Sequence, residues 1–330
     1  MVPPAVLSLS ILASLVNMTN ASPTQTIRVN NHPVSVSLAA ATTKLIVGEP
    51  VTLTFSVANQ TADEMYVVSG PIGNGATDGF TVTVTGPAGP LAPVPPNPMA
   101  SNGATGASSL AARSTFVDRL LLAEWVKIDK PGRYTISVAR KLRVGVMPST
   151  NWSKAQAFDV RLDLAIDVAV GTQAQLGAVI DRLGTKMLAA SEDDGGSIAE
   201  ALATIHDARV VPYFIKALAL DWSRQFPAIR ALGSYPTADS LAALVRMLAA
   251  TDFNTRISAA QAIADHKSDA GLKALWAVRK DSNASLRLEV LHAVARMNPP
   301  DAVARLTEMS RDSSPMVSGE AKRYLAERKP

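Results

Sequence analysis

Residues 272–297, LKALWAVRKDSNASLRLEVLHAVARM, decide the fold of the second half of the chain. Leu272 and Leu275 precede the polar turn, and Val290 and Val294 follow it. Apolar residues three or four positions apart share one face of a helix. The stretch therefore predicts two short amphipathic helices that are joined by a turn.

The same pattern recurs at a step of 31 residues on both sides of this stretch. The breaks between copies fall at 233–236, 266–269 and 298–300. A short helical hairpin cannot bury its apolar face alone, so neighbouring copies must stack to form one core. We expect residues 171–330 to form an α-solenoid of about five helix pairs. The matching positions are Leu241, Leu272 and Val303; Leu244, Leu275 and Leu306; Ala259, Val290 and Ala321; and Ile263, Val294 and Leu325.

The motif from Asp281 to Arg287, with the apolar positions that follow it, resembles HEAT repeats of the short bacterial type that also occur in phycobilin lyases. The resemblance implies that the turn aspartate and the arginine that opens the second helix pair along the stack. Asp312 keeps the aspartate of the next copy, whereas Ser318 replaces its arginine. HEAT arrays are mainly binding scaffolds, so the resemblance implies binding and gives no reason to expect lyase chemistry.

Residues 26–170 alternate between apolar and polar positions, and turn residues separate the alternating runs. The run from Val51 to Val57 is typical of a strand with one buried face. Many short strands without intervening helices predict a β-sandwich or a barrel, and we expect the sandwich. The turn Asp129-Lys130-Pro131-Gly132-Arg133-Tyr134 resembles that of bacterial immunoglobulin-like domains, which implies that the Tyr134 hydroxyl bonds back to the turn. Residues 86–109, rich in proline and glycine, predict a long non-helical excursion between two strands.

Residues 1–21 resemble a cleavable signal peptide. An apolar run spans residues 3–16, and small residues Thr19 and Ala21 precede a candidate cleavage site before Ser22. No basic residue precedes the run, and no later stretch is long and apolar enough to span a bilayer. We expect an extracytoplasmic protein, periplasmic or secreted, whose mature form does not insert into the membrane.

Composition argues against several classes of function. The chain contains no cysteine, which excludes disulfides, cysteine-ligated zinc and a thiol nucleophile. The net charge of +4 is spread over both halves, without the concentrated basic patch of a nucleic-acid binder. The densest basic cluster, Arg140, Lys141 and Arg143, is interpreted as a solvated strand end. The four histidines are interpreted as turn or surface residues, and neither a metal site nor a cofactor is expected.

One row of polar residues is a candidate binding site. Arg230, Gln261, His292 and Arg323 occupy the same position of successive second helices, 31 residues apart. Second helices commonly line the concave face of a solenoid, so these residues predict a mildly basic stripe. An ordinary solvated face is the alternative.

The expected function is that of a non-enzymatic scaffold that binds another protein, whose contacting segment could be acidic. One alternative is a hydrolase or lyase with its site between the domains. Another is carbohydrate or cell-envelope binding by the sandwich. The sequence leaves the oligomeric state open.

Overall fold

The computed structural model describes residues 22–69, 79–95, 106–147 and 154–328. Its strands come first, between Thr24 and Ala169, and its helices follow, between Gln173 and Glu327. The β-then-α order expected from the sequence is thus confirmed. The expected signal peptide, residues 1–21, lies outside the described residues.

The β-rich region contains two sheets. The smaller sheet is antiparallel and has the order β1-β2-β4-β9, with strands Thr24–Val29, His32–Ala40, Thr52–Asn59 and Thr115–Leu121. The larger sheet has the order β3-β11-β10-β5-β8, and β6 also pairs with β10 and with β7. Its strands are β3 Lys44–Ile46, β5 Met65–Ser69, β6 Thr81–Gly86, β7 Gly89–Pro90, β8 Gly106–Leu110, β10 Gly132–Val146 and β11 Gln156–Ala169.

Alternation of side chains builds one apolar core from both sheets. Val36 and Phe55 of the smaller sheet and Ile136 and Val160 of the larger one belong to the same buried cluster. Each strand therefore presents one face to the core, as the period of two predicts. At the corner before β10, the hydroxyl of Tyr134 donates to the carbonyl of Lys130 at 2.7 Å, the bond that the resemblance implied.

Two sequence interpretations of this region are wrong. Arg140 is buried within the sandwich core, where it donates to Asp118 of the facing sheet at 2.5 Å and lies 4.7 Å above the ring of Phe80. The excursion at 86–109 also contains strands, because 89–90 pairs with β6 and 106–110 pairs with β5. Arg140 and the strand at 106–110 depend on partners more than 20 positions away in the sequence, whereas 89–90 forms a local hairpin with β6.

Ten helices follow in the part of the chain that the structure describes. The even-numbered helices α4, α6, α8 and α10 begin at Trp222, Phe253, Ala284 and Pro315, each 31 residues after the previous one. Each even helix packs against the odd helix before it and against the neighbouring even helices. The bounds are α1 Gln173–Ala189, α2 Glu192–Ala203, α3 Val211–Ala217, α4 Trp222–Gly233, α5 Ala238–Met247, α6 Phe253–Asp265, α7 Asp269–Ala277, α8 Ala284–Met297, α9 Ala302–Met309 and α10 Pro315–Glu327.

Local sequence explains where these helices begin. The side chains of Asp221, Thr237, Asp252, Ser268 and Asn283 each accept a hydrogen bond from a backbone N–H in the first turn of the helix that follows. Such capping satisfies donors that would otherwise lack a partner. The starts of these five helices are therefore encoded by the residue before each of them.

Ion pairs connect successive helix pairs. Arg256 of α6 pairs with Asp281, and Arg287 of α8 donates to both carboxylate oxygens of Asp312 at 2.7 and 2.8 Å. These are the arginine and aspartate positions of the sequence motif, and the pairing runs from one helix pair to the next. Hydrogen bonds from Arg287 hold the pKa of Asp312 below its usual range.

Candidate functional site

The even-helix face consists of the exposed side chains of α4, α6, α8 and α10. The polar row predicted from the sequence lies on it: Arg230, Gln261 and Arg323 are exposed, and His292 is half-buried. A groove of about 490 Å³ between α6, α8 and α10 is lined in part by Gln261 and His292. The structure therefore presents the four residues on successive helices of one face.

The polar row is surrounded by carboxylates. Gln261 donates to Glu289 at 3.1 Å, and His292 lies 3.9 Å from both Glu289 and Glu320. Arg323 pairs with Glu320 and with Glu327, and hydrogen bonds from Arg323 lower the pKa of Glu320. Arg323 is thus neutralised within the face, whereas Arg230 has no ion pair in the described part of the chain.

The expectation of a mildly basic stripe is therefore wrong for the part of the face between α6 and α10. A step of 31 residues selects one position per helix and misses the neighbouring positions, which carry acids. Two arginines stand among four carboxylates in this part of the face. These are Arg296, Arg323, Asp265, Glu289, Glu320 and Glu327.

Exposed apolar side chains lie at the beginning of the even helices. Trp222 and Phe226 of α4 stack with their ring centroids 5.4 Å apart, and the guanidinium of Arg230 lies 5.8 Å from the Phe226 ring centroid. Phe253, which is 31 residues after Trp222, is 53% exposed. Large apolar groups in solvent are costly unless a partner covers them, so their alignment makes this face a candidate contact surface.

The α4 end of this face meets the smaller sheet in a crevice, which we call the junction crevice. Its sheet wall contains Val117 and Glu124, and its helix wall contains Glu200, Trp222 and Phe226; Arg119 and Arg230 also line it. Two adjoining spaces of about 220 and 590 Å³ share the two glutamates. An ion pair between Arg119 and Asp194 ties the walls together.

The two glutamates of the crevice have unusual electrostatics. Desolvation between the walls, with the nearby charge of Glu200, raises the pKa of Glu124 to about 7. Desolvation also raises the pKa of Glu200, and the positive charge of Arg230 opposes both effects. Both side chains keep contact with solvent at the mouth of the crevice. Near neutral pH the crevice therefore holds a carboxylate that is only partly ionised.

A second, mainly apolar pocket of about 580 Å³ lies on the other side of the turn at 122–124. Val47, Val126 and Leu176 line it, and His206 stands at its edge. Glu49, also in its wall, receives a hydrogen bond from Arg182 at 2.6 Å. This ion pair is a further connection between the strands and the helices.

The other residues singled out from the sequence have structural roles. Tyr134, Asp281 and Arg287 pin a corner and join helix pairs, as described above, and do not line the junction crevice. His266 lies in the turn after α6, as expected, but it is buried there, with its Nε2 2.8 Å from the carbonyl of Leu232. Within the described ranges, no group of three or more His, Cys, Asp or Glu residues could hold a metal ion.

Sequence reasoning missed Glu124, Glu200 and Phe226 as candidate site residues. Glu124 and Glu200 lie on different sides of the junction, so no spacing rule connects them. The repeat contained one usable signal: Trp222 and Phe253 are aromatic at equivalent positions just after the residue that caps each helix. A large apolar residue in the first turn of a helix, on the side that faces solvent, indicates an exposed apolar side chain.

Comparisons with known proteins add little to this description. No protein-family model matches the chain, and no curated protein matches it. An engineered protein of known crystal structure is 22% identical, over 47% of this chain and 83% of its own, with a TM-score of 0.33. Human deoxyhypusine hydroxylase in complex with glycerol is 16% identical, over 47% and 75%, with a TM-score of 0.31. Similarities at this level carry no argument about function.

None of the described helices is both long and apolar enough to cross a bilayer.

Proposed function

We propose that the protein is an exported, non-enzymatic scaffold that binds another protein through the even-helix face. In this proposal the helices form a HEAT-like α-solenoid that follows an immunoglobulin-like β-sandwich. The regular 31-residue spacing of the even helices and the Arg–Asp pairs between helix pairs support the solenoid. The shared core of the two sheets and the Tyr134 corner support the sandwich.

The observation that carries this proposal is the composition of the even-helix face. Aromatic side chains that are 37–53% exposed stand at the beginning of α4 and α6, and a polar row continues across α8 and α10. Protein interfaces commonly combine exposed aromatic anchors with a polar rim. Four helices side by side form a surface that is long enough to bind a helical or extended segment of a partner.

The chemistry of the face favours a partner with apolar and basic side chains over the acidic segment expected from the sequence. Carboxylates outnumber arginines between α6 and α10, so an acidic segment would meet like charge there. Complementary charge steers association and selects partners. An acidic partner is the alternative outcome of the experiment below.

A display library of short peptides, panned on residues 22–330, tests the proposal without a known partner. We expect a family of related sequences whose binding is lost in the Trp222→Ala and Phe253→Ala variants. Val303→Ala is the matched control, because Val303 is 57% exposed on the odd helix α9. If no family of sequences depends on Trp222 or Phe253, the even-helix face is not a binding surface.

A second candidate function is a hydrolase or lyase with its site in the junction crevice. The observation in its favour is the pKa of Glu124, which is raised to about 7 beside a second carboxylate. A carboxyl group with such a pKa could act as a general acid near neutral pH. Both carboxylates remain in contact with solvent, which disfavours this candidate, because a catalytic site gains by excluding water.

The hydrolase candidate can be tested with a panel of chromogenic esters and glycosides. Turnover that disappears in Glu124→Gln and persists in Glu289→Gln would replace the scaffold proposal by an enzymatic one. If the intact protein turned over no substrate faster than Glu124→Gln does, the hydrolase candidate would fail, and the crevice would remain a candidate binding site only.

A further inference from the structure

We propose that the junction crevice anchors the partner by taking up a lysine or arginine side chain next to an apolar residue of the bound segment. This inference rests on the proposed scaffold function and names the chemistry of the partner at one point of the surface.

The carboxylates of the crevice lack a direct cation. Among the described residues, Glu124 and Glu200 have neither an ion pair nor a hydrogen bond from a side chain. The nearest cations do not pair directly with them: Arg119 pairs with Asp194, and the charge of Arg230, whose guanidinium lies 5.8 Å from the Phe226 ring centroid, acts on both glutamates without an ion-pair contact. Two carboxylates that face the same space therefore remain available to a cation from outside.

The cost of keeping these carboxylates ionised makes an external cation favourable. Protein atoms from β9, α2 and α4 surround Glu124 and remove part of its water, and Glu200 adds repulsion. A cation placed between them relieves both effects, since opposite charge within a few ångströms favours the ionised form. A bound anion would have the opposite effect and is disfavoured.

The wall of the crevice suits the rest of a basic side chain. Val117, Trp222 and Phe226 are 41%, 47% and 37% exposed, which is unusual for residues of this size. The methylene stem of lysine or arginine packs on such surfaces, and aromatic ring faces attract the cationic group itself. An apolar neighbour in the bound segment would cover the remainder of the aromatic pair.

The charged groups around the proposed cation come from three elements. Arg119 and the sheet-side Glu124 lie on or after β9, Asp194 and Glu200 belong to α2, and Arg230 belongs to α4. Binding requires ionised Glu124, so affinity should be full above a pH of about 7 and decrease as pH falls through this value. Bound cation should in turn lower the pKa of Glu124.

The test uses two pools of immobilised peptides in a glycine–serine background, which present a Leu–Lys or Leu–Arg pair in one pool and a Leu–Glu pair in the other. We expect the basic pool to bind. Fluorescence anisotropy of the best peptide should then give a dissociation constant that rises about tenfold in Glu124→Gln and in Glu200→Gln. Asp239→Asn is the control for general loss of negative charge, because Asp239 is exposed on the odd helix α5.

The pH dependence provides a readout that loss of structure would not mimic. Affinity of the intact protein should weaken between pH 8 and pH 6, and Glu124→Gln should remove most of this change. The inference would be overturned if the protein preferred the Leu–Glu pool. It would also be overturned if the Glu124→Gln/Glu200→Gln double variant bound the best peptide with an affinity within about twofold of that of the intact protein. If library peptides still required Trp222 and Phe253, the scaffold proposal would survive that result; if no peptide bound at all, both proposals would fail.

Discussion

Leu275→Ala probes whether the helices form a stack with its own core. Leu275 of α7 has no exposed surface and belongs to a buried cluster formed by the helices and the turns between them, against which Ile46 of β3 also packs. The strands have a separate cluster. Removing three carbons from a fully buried leucine costs about 2–5 kcal/mol, because the cavity that remains collapses only in part. For a unit of this size, that corresponds to a melting temperature lowered by about 4–20 °C.

Hydrogen exchange measured by mass spectrometry can locate this loss. We expect faster exchange in peptides from α5 to α10 and unchanged exchange in β4 and β10. Leu220→Ala is the matched control: Leu220 is 37% exposed, and its truncation should cost less than about 1 kcal/mol. Equal acceleration in the strands and the helices would refute the separation of the two cores. In that case the ion pairs at the junction would couple the two parts into one folding unit.

Three further predictions concern other parts of the molecule. Mass spectrometry of the native protein should show a mature N-terminus near Ser22, and a protein that retains Met1 would contradict export. Arg140→Met should destabilise the strand region by about 3–5 kcal/mol in urea unfolding, because it leaves the Asp118 carboxylate buried and unpaired. The double variant Arg140→Met/Asp118→Leu should restore much of this loss, because it removes the unpaired carboxylate as well. Since Arg287 lowers the pKa of Asp312, the stability from this pair is present above pH 4 and is lost as pH falls through the lowered pKa. Asp312→Asn should therefore cost about 1–3 kcal/mol at pH 7 and reduce the loss of stability at acid pH. An unchanged dependence of stability on acid pH would show that the pair contributes nothing.

Local patterns predicted the elements of this fold well. The 31-residue step reappears in the start positions of α4, α6, α8 and α10, because each copy contains its own apolar face; α4, α6 and α8 are also preceded by a residue whose side chain caps the helix. The alternation of Val51 to Val57 reappears as β4, with apolar side chains inward. Such features depend on neighbours within a few residues, and the sequence displays them directly.

Features that depend on distant partners were not predictable in this way. Arg140 was interpreted as solvated because nothing near it in the sequence shows that Asp118 faces it from the other sheet. The polar row was predicted to be basic because a single repeat position omits Glu289 and Glu320 on the adjacent turns. The junction crevice joins two residues 76 positions apart, Glu124 and Glu200, which become neighbours only when the helices pack on the sheet.

The central claim is that the even-helix face binds a protein segment, and amide protection tests it most directly. Hydrogen exchange of residues 22–330 should be compared with and without a saturating amount of the best display-selected peptide. Protection should be concentrated in α4, α6, α8 and α10, with the odd helices and β10 unchanged. Protection confined to the odd helices or to the strands would contradict the claim.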